Sequence, residues 1–351
     1  AEDSSEEVPP APAEDIYITT AGTHELKGAF TNRMIIVEVA ATEKVQLVLK
    51  GVVINNANGP AIVVKEADKV TITAFDGTEN YISDGNAYTL TSGTTNVDAA
   101  IFSLADMTIN GTGKLTVKGN KQHGVVSKDR VVVSECTLNI SSKGIALNGK
   151  DYVKIKNGAI TINSGDDGIT SDNTENAAKG YIYIEGGTIN VTAVHDGIQA
   201  ETVLKSDVAS ITVKSGGGGS VALGTETAES YKGLKAVSDI LISGGSYNIS
   251  SRDDCIHSNG TISITGGTLT LSSGNDAFHA NSDLAVSGGT ITVENSFEGM
   301  DASRVIMSGG AVTVNASDDG IMTVNAFTLT GGTLYIDADG DGIDSNGTLQ
   351  V

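Results

Sequence analysis

Apolar and polar residues alternate in short runs along most of the chain, and turns rich in glycine, asparagine and aspartate separate the runs. From Ser127 onward, two such runs regularly flank a pair of small residues, as in the segments YIYIEGGTINV, ISITGGTLTL and LAVSGGTITV. Alternation over four to eight residues is typical of a half-buried β-strand. Since no segment has a clear 3.6-residue apolar period, the pattern predicts strands without crossover helices.

These strands recur with a fixed period. A short acidic corner leads into one apolar residue, as in Asp253-Asp254-Cys255-Ile256, and that apolar residue marks the repeat. From Leu234 the markers are 22, 22, 22, 21 and 22 residues apart, whereas earlier steps reach 29 and 36 residues. Insertions near 75–95, 171–180 and 215–230 explain the longer steps. The markers are Val125, Ile145, Ile169, Ile198, Leu234, Ile256, Phe278, Met300, Ile321 and Ile343, with Ile62 and Ile101 before them.

A helix-free unit of three short strands that stacks on copies of itself is one coil of a parallel β-helix. The sequence therefore predicts an all-β, right-handed parallel β-helix of about 12 coils, with about 22 residues and three strands per coil. It forms a single solenoid domain over residues 16–351. About four coils, or roughly 19 Å at the strand spacing, separate Cys136 from Cys255, so we expect no disulfide between them.

Composition narrows the classes of function. The 351 residues include 43 acidic and 22 basic side chains, a net charge of −21, which excludes a basic surface for nucleic acid. No apolar run approaches the ~18 residues of a membrane span, so we expect no membrane insertion.

Residues 1–15 hold six carboxylates and three of the four prolines and are predicted to be a linker. The chain begins at Ala1 without methionine, as expected if a leader has been removed, which is compatible with a secreted or cell-surface protein.

The acidic residues are concentrated in one column of the repeat. Seven of the last eight coils carry an acid two positions before the marker. Aspartate is common in turns, which is the alternative explanation, but stacked carboxylates about 5 Å apart repel by roughly 3 kcal/mol per pair at an effective dielectric of 20. A column of oxygen ligands instead favours several bound Ca²⁺ ions. The predicted ligands are Asp166, Asp167 and Asp196; Asp253, Asp254 and Asp276; Glu298, Asp301, Asp318 and Asp319; and Asp337, Asp339, Asp341 and Asp344.

Five further residues close to this column are candidates for sugar contacts. His257 and His279 follow successive markers and are expected to stack beside the carboxylates; a transition-metal site is the alternative there. Tyr231, Lys232 and Lys235 lie where a base interrupts the acids. A neutral polysaccharide would need another surface. Because the chain has no tryptophan, such binding would depend on scattered tyrosines and on a polar strand row of Asn139, Thr161, Asn190, Asn248, Thr270, Thr292 and Thr313.

Two resemblances follow from these residues. The pattern Asp-Asp-Gly-apolar-Asp is similar to the calcium site of family-nine pectate lyases, and Asp253 and Asp254 match its paired acids while Cys255 and His257 depart from it. The repeat of GGT strands behind an acidic linker resembles more closely the calcium-bearing β-helix carbohydrate-binding proteins of anaerobic cellulolytic bacteria. That resemblance implies a parallel β-helix that binds cellulose or acidic sugars without cleaving them.

The sequence thus predicts a non-catalytic, calcium-dependent, extracellular protein that binds plant cell-wall polysaccharide. Acidic sugars such as polygalacturonate are the first candidates and cellulose the second. One alternative is pectate-lyase-like β-elimination, in which a cation acidifies the proton and Lys232 removes it. The carboxylates around Lys232 argue against that role because they stabilise its charged form. The other alternative is a surface spacer or adhesin stiffened by calcium.

Overall fold

A computed structural model describes residues 14–88, 97–221 and 229–351. Within these ranges the chain forms 36 strands and no helix, and every pairing between strands is parallel. The predicted all-β parallel solenoid is therefore confirmed, while its right-handed winding stays a prediction. Residues 1–13 of the predicted linker, and parts of the insertions near 75–95 and 215–230, lie outside the described residues.

The strands are short, most of them three to seven residues long. The first twelve are β1 (Ile16–Ile18), β2 (Gly22–Thr31), β3 (Ile35–Glu38), β4 (Lys44–Asn55), β5 (Ile62–Glu66), β6 (Lys69–Ala74), β7 (Glu79–Ser83), β8 (Ala99–Ser103), β9 (Asp106–Asn110), β10 (Lys114–Gly119), β11 (His123–Ser127) and β12 (Arg130–Ser134). The next twelve are β13 (Cys136–Ser142), β14 (Leu147–Gly149), β15 (Tyr152–Ile155), β16 (Gly158–Ser164), β17 (Ile169–Ser171), β18 (Tyr181–Ile184), β19 (Thr188–Ala193), β20 (Ile198–Ala200), β21 (Val203–Ser206), β22 (Ser210–Ser215), β23 (Leu234–Ala236) and β24 (Asp239–Ile242). The last twelve are β25 (Ser246–Ser251), β26 (Ile256–Ser258), β27 (Thr261–Ile264), β28 (Thr268–Ser273), β29 (Phe278–Val286), β30 (Thr290–Asn295), β31 (Met300–Met307), β32 (Ala311–Ala316), β33 (Ile321–Leu329), β34 (Thr333–Ala338), β35 (Ile343–Ser345) and β36 (Thr348–Gln350).

Three faces run along the solenoid, as predicted from three strands per coil. Face A consists of β1, β3, β5, β8, β11, β14, β17, β20, β23, β26, the first parts of β29, β31 and β33, and β35. Face B consists of the first parts of β2 and β4, then β6, β9, β12, β15, β18, β21, β24, β27, the last parts of β29, β31 and β33, and β36. Face C consists of the last parts of β2 and β4, then β7, β10, β13, β16, β19, β22, β25, β28, β30, β32 and β34.

The core lies between the three faces. Successive side chains of a strand point to opposite sides, and β19 shows the resulting alternation, with Ile189 and Val191 buried between exposed neighbours. The marker residues of face A, from Val125 to Ile321, are at most 1% exposed. Each coil therefore contributes a few aliphatic side chains to one continuous core, and each packs on its counterpart in the next coil.

The register confirms every marker but one. Leu147, rather than Ile145, pairs with Val125 on one side and Ile169 on the other. The prediction was wrong by two residues because Ala146-Leu147 offers two apolar candidates after Ile145. Face A is fourteen strands deep in the described residues, so the predicted number of about 12 coils was too low. The missed coils lie before Ile62 and contain β1 and β3, in which Ile16 pairs with Ile35 and Ile35 with Ile62.

A column of small residues precedes the markers, and close packing between coils explains it. A Cβ atom added to Gly233 would lie 2.3 Å from Ile249 Cγ2 and 2.5 Å from the carbonyl oxygen of Cys255 in the next coil. Any larger residue would push the two coils apart. Cys255 itself is buried and free, as is Cys136, which confirms that they form no disulfide. Within the described residues, no helix has the length and apolar character that a membrane crossing requires.

The one aromatic marker, Phe278, is among the largest fully buried side chains, so we predict a large cost for truncating it. Phe278 is fully buried, and Phe278→Ala should lower the free energy of unfolding by about 3–5 kcal/mol because it leaves a cavity in the core. Thermal or denaturant unfolding measures the change. Thr313→Ala, on the exposed side of face C, is the matched control and should stay within about 0.5 kcal/mol of the parent. Equal effects of the two variants would contradict this packing.

Candidate functional site

The predicted acids lie in the corner between the end of face C and the start of face A, here called the acidic corner. Successive coils are joined there by backbone hydrogen bonds. For example, the amide of Gly168 donates to the carbonyl of Asp196 (2.9 Å), and the amide of Gly233 donates to that of Asp254 (3.0 Å). The structure thus confirms that these residues form one column. In order, its members are Asp167, Asp196, Lys232, Asp254, Asp276, Glu298, Asp319 and Asp341.

Several of these carboxylates also hold the backbone of the next coil. Asp167 Oδ1 accepts a hydrogen bond from the amide of Asp196 (2.9 Å), and Asp196 Oδ1 accepts one from Lys232 (2.7 Å). Asp254 and Asp319 do the same for the following coil. In these residues one carboxylate oxygen therefore accepts a backbone hydrogen bond that stabilises the turn. This agrees with the alternative explanation, in which aspartate is present because it favours turns. The second oxygen is the one that can bind a cation.

The first cluster of acids is largely paired with cations of the protein. Asp166 Oδ1 lies 2.7 Å from His195 Nδ1, and Asp196 Oδ2 accepts a hydrogen bond from Lys235 Nζ (2.8 Å). Burial and the charge of Asp196 raise the pKa of Asp167 to about 6. The hydrogen bond to Asp166 raises the pKa of His195 against the opposing effect of burial. The structure thus adds His195 to the site, a residue that the predicted ligand set lacks.

The second cluster surrounds Lys232. Its ammonium forms ion pairs with Asp253 and, at 3.7 Å, with Asp254 Oδ2. Burial opposes the charge of Lys232, but the two carboxylates outweigh it and raise the pKa. Burial would also raise the pKa of Asp254, yet the hydrogen bond to His257 and the charge of Lys232 hold it at about 2. This environment keeps Lys232 protonated and ill suited to remove a proton.

The two histidines stack as predicted. The rings of His257 and His279 lie 4.8 Å apart and are nearly parallel, with an interplanar angle of 5°. His279 Nδ1 lies 3.2 Å from Asp276 Oδ2 and 3.0 Å from Asp301 Oδ2. These two hydrogen bonds raise the pKa of His279 to about 11. A protonated His279 is then a counter-ion of Asp276 and Asp301.

The third cluster brings Glu298 close to four other carboxylates. Its pKa is raised to about 7 by burial and then by four neighbouring carboxylates. These neighbours are Asp276, Asp301, Asp319 and Asp318. The chemistry of this donor set fits a hard cation such as Ca²⁺, which binds six to eight oxygens in flexible geometry.

The predicted ligands do not all converge. Within the described residues, three groups have ligand atoms that all lie within 4.8 Å of one another, and each contains a histidine. The predicted C-terminal cluster is divided: Asp337 pairs on face C and Asp344 on face A, while Asp339 and Asp341 lie in the turn between them. The three groups are Asp166, Asp167 and His195; Asp254, His257 and His279; and Asp276, His279 and Asp301.

The predicted sugar-contact residues flank the same corner. The Tyr231 ring lies 4.8 Å from the Arg252 guanidinium and 5.6 Å from the His195 ring. Lys235 Nζ also lies 3.2 Å from Ser230 Oγ at the end of the glycine-rich insertion. The side chains of Tyr231, Lys232 and Lys235 are thus brought together around Asp196 and Asp253.

The chain is similar to known proteins. The family of carbohydrate-binding domain-containing proteins matches residues 13–277 and 277–350. The chain belongs to this family. A member from Acetivibrio thermocellus, described as a carbohydrate-binding domain-containing protein, is 33% identical over 129 residues, 36% of this chain. The match spans 45% of the length of that relative.

A solved structure is also similar. It is described as the polysaccharide lyase-like protein from C. thermocellum, in a gadolinium derivative. The similarity has a TM-score of 0.60 and 30% sequence identity, and it covers 66% of this chain and 88% of that one. A carbohydrate-binding family and a lyase-like β-solenoid therefore agree with the architecture described above.

The pairing within the corner predicts how its acids contribute to stability. Asp254→Ala should lower the free energy of unfolding by about 3–5 kcal/mol, because it leaves the buried charge of Lys232 and the ring nitrogen of His257 without this partner. Asp337→Ala is the control, since its side chain is exposed on face C. Chemical denaturation in the presence of a chelator measures both. A loss no larger for Asp254→Ala than for Asp337→Ala would show that the ion pairs contribute little.

Proposed function

We propose that this chain is a non-catalytic, calcium-dependent polysaccharide-binding protein whose acidic corner binds acidic sugars. The family supports binding to carbohydrate. The crowding of carboxylates around Glu298 carries the calcium part of the proposal, because burial and then four acidic neighbours raise the pKa of Glu298 to about 7. Divalent cations would remove this repulsion, and burial would strengthen their attraction.

Glu298, Asp301, Asp318 and Asp319 are the residues that would hold Ca²⁺; of these, Asp301 also belongs to a group whose ligand atoms converge, together with Asp276 and His279. Calcium supplies a positive charge that protein and sugar carboxylates can share. The solved neighbour was obtained as a gadolinium derivative, and gadolinium, like calcium, is a hard cation suited to oxygen ligands. The same chemistry would extend to the corner near Asp166, Asp167 and Asp276, where histidines and lysines already neutralise part of the charge.

Electrostatics favours an acidic ligand held through the metal. A protein with a net charge of −21 repels polygalacturonate unless cations lie between the two. Lys232, Lys235 and Tyr231 border the corner. They are the proposed contacts to the carboxylates and rings of the sugar. Plant cell-wall polysaccharide is the proposed partner and the cell exterior the proposed location, because polygalacturonate is found there.

Lysis is the second candidate, since the solved neighbour is described as polysaccharide lyase-like. Its mechanism would need Lys232 as an uncharged base. The ion pairs with Asp253 and Asp254 raise the pKa of Lys232 instead. We therefore favour binding without cleavage.

Retardation in native gels tests the function. Migration in polygalacturonate gels with calcium should be slowed, and excess chelator should abolish the effect because the metal forms the link to the sugar. Absorbance near 230 nm, monitored in parallel, should reveal no unsaturated product. Product formation that disappears in Lys232→Ala would favour the lyase. Absence of retardation on polygalacturonate in calcium would contradict acidic-sugar binding and favour the calcium-stiffened spacer.

Calcium binding has a separate test in thermal stability. Because a ligand that binds only the folded state raises the melting temperature, calcium should stabilise the parent protein. In the double variant Glu298→Gln/Asp318→Asn this shift should fall by at least half, whereas its melting temperature in chelator should equal or exceed that of the parent, since repulsion is relieved. Asp337→Asn is the matched control and should keep the full shift. Equal calcium shifts in all three proteins would exclude the Glu298 cluster as the main site.

A further inference from the structure

Face B gathers aromatic side chains that are far apart in sequence. Tyr152 pairs with Tyr181 in the next coil, and their rings stack with centroids 4.8 Å apart and an interplanar angle of 17°. Tyr183, two residues after Tyr181, lies beside this pair on the same outward side of face B. All three rings are half-exposed. The strip lies on a different face from the acidic corner.

Cations surround these rings, and each cation has a carboxylate partner. The Arg130 guanidinium lies 5.8 Å from the Tyr152 ring, while Lys154 and Lys205 lie 4.9 Å and 4.4 Å from the Tyr183 ring. Their acidic partners are Asp106, Glu185 and Asp207 respectively. The strip is therefore close to neutral in a chain of net charge −21, which removes the need for a metal ion at this surface.

A cavity of about 270 Å³ lies at one end of the strip. Its cause is a change of side-chain size along the column: Val203 follows Tyr181 in the next coil and is much smaller. Ala177 and Ala178, from the insertion between β17 and β18, form the opposite wall. One face of the Tyr181 ring thus borders an open space wide enough for a sugar ring.

A second cavity, of about 320 Å³, lies at the other end. It is lined by Tyr152, Arg130, Asp106 and Thr108, among others. Asp106 and Thr108 are 5% and 8% exposed, and in the described residues Asp106 Oδ1 and Thr108 Oγ1 are the buried side-chain atoms that have no hydrogen-bond partner. Since unpaired buried polar atoms are costly, these two indicate a polar ligand or water in the cavity.

We propose that this strip of face B, from Asp106 to Val203, is a second carbohydrate site, which binds an uncharged polysaccharide without metal. The proposal rests on the polysaccharide-binding part of the function proposed above. Tyrosine rings accept the apolar face of a sugar ring and bury area at low entropic cost. A hydroxyl group can donate to Asp106 Oδ1, whereas a sugar carboxylate would be repelled there. Asp106 and Val203 lie four coils apart, roughly 19 Å, so the site suits an extended chain of several sugar units.

Affinity electrophoresis in gels containing hydroxyethyl cellulose tests this site, with chelator present throughout. The parent protein should be retarded, and Tyr181→Ala should weaken binding about tenfold because the stacking surface is lost. Tyr181→Phe keeps the ring and should retain binding. Tyr335→Ala, which removes an exposed tyrosine of face C, is the matched control and should bind like the parent. Circular dichroism and melting temperature establish that each variant is folded.

Thr108→Val separates a role in binding from a role in folding. It preserves shape and removes an unpaired hydroxyl, so the melting temperature should stay equal or rise while retardation weakens several-fold. Unretarded parent protein, or equal retardation of the parent and Tyr181→Ala, would overturn the proposal. Polygalacturonate gels with calcium distinguish the two sites: Tyr181→Ala should bind there like the parent. Loss of retardation in both gels would show that a single site binds both ligands, which also contradicts the proposal.

Discussion

The stacking of equivalent residues at the strand spacing of about 4.8 Å is the constraint on which this structure depends. In a solenoid each side chain faces its counterpart one coil away, so every property of a position is repeated along the rod. For the apolar markers this is favourable, since Ile256, Phe278 and Met300 pack on one another in a continuous core. For carboxylates it is costly, because like charges are held at short distance. The acidic corner therefore needs compensation at almost every coil.

The chain compensates in two ways. Backbone amides of the next coil donate to Asp167, Asp196 and Asp254, and protein cations neutralise the free oxygens. Lys232 and Lys235 do so in the middle of the column, and His279, stacked on His257, continues the series. Around Glu298 the acids exceed these partners, and burial together with the neighbouring carboxylates raises the pKa of Glu298. The compensation is thus weakest at the point where an external cation has most to contribute.

Much of this could be read from the sequence, because the period identifies which residues share a column. The three faces, the order of the acidic column and the histidine stack all follow from the 22-residue spacing. The partners of the acids did not follow from it. Whether Asp254 binds a calcium ion, Lys232 or His257 depends on the direction in which the side chains point across the corner. The spacing of residues in the sequence does not give that direction. The same holds for the C-terminal acids, since Asp337 and Asp344 lie on different faces.

The tyrosine strip shows a different limit. The strands YVKIKNG and YIYIEGG could have been aligned to place Tyr152 beside Tyr181, but the insertion between them obscures their pairing. The cavity beside Tyr181 is lined in part by Ala177 and Ala178 of that insertion, which only the structure shows.

The central claim is that the carboxylates around Glu298 hold calcium. A crystal structure from crystals grown in millimolar calcium, with anomalous scattering recorded, tests it most directly. We expect a calcium ion bound by oxygens of Glu298, Asp301, Asp318 or Asp319 at about 2.3–2.6 Å. A calcium-containing crystal with no ion there, and with these carboxylates bound only to protein groups, would contradict it.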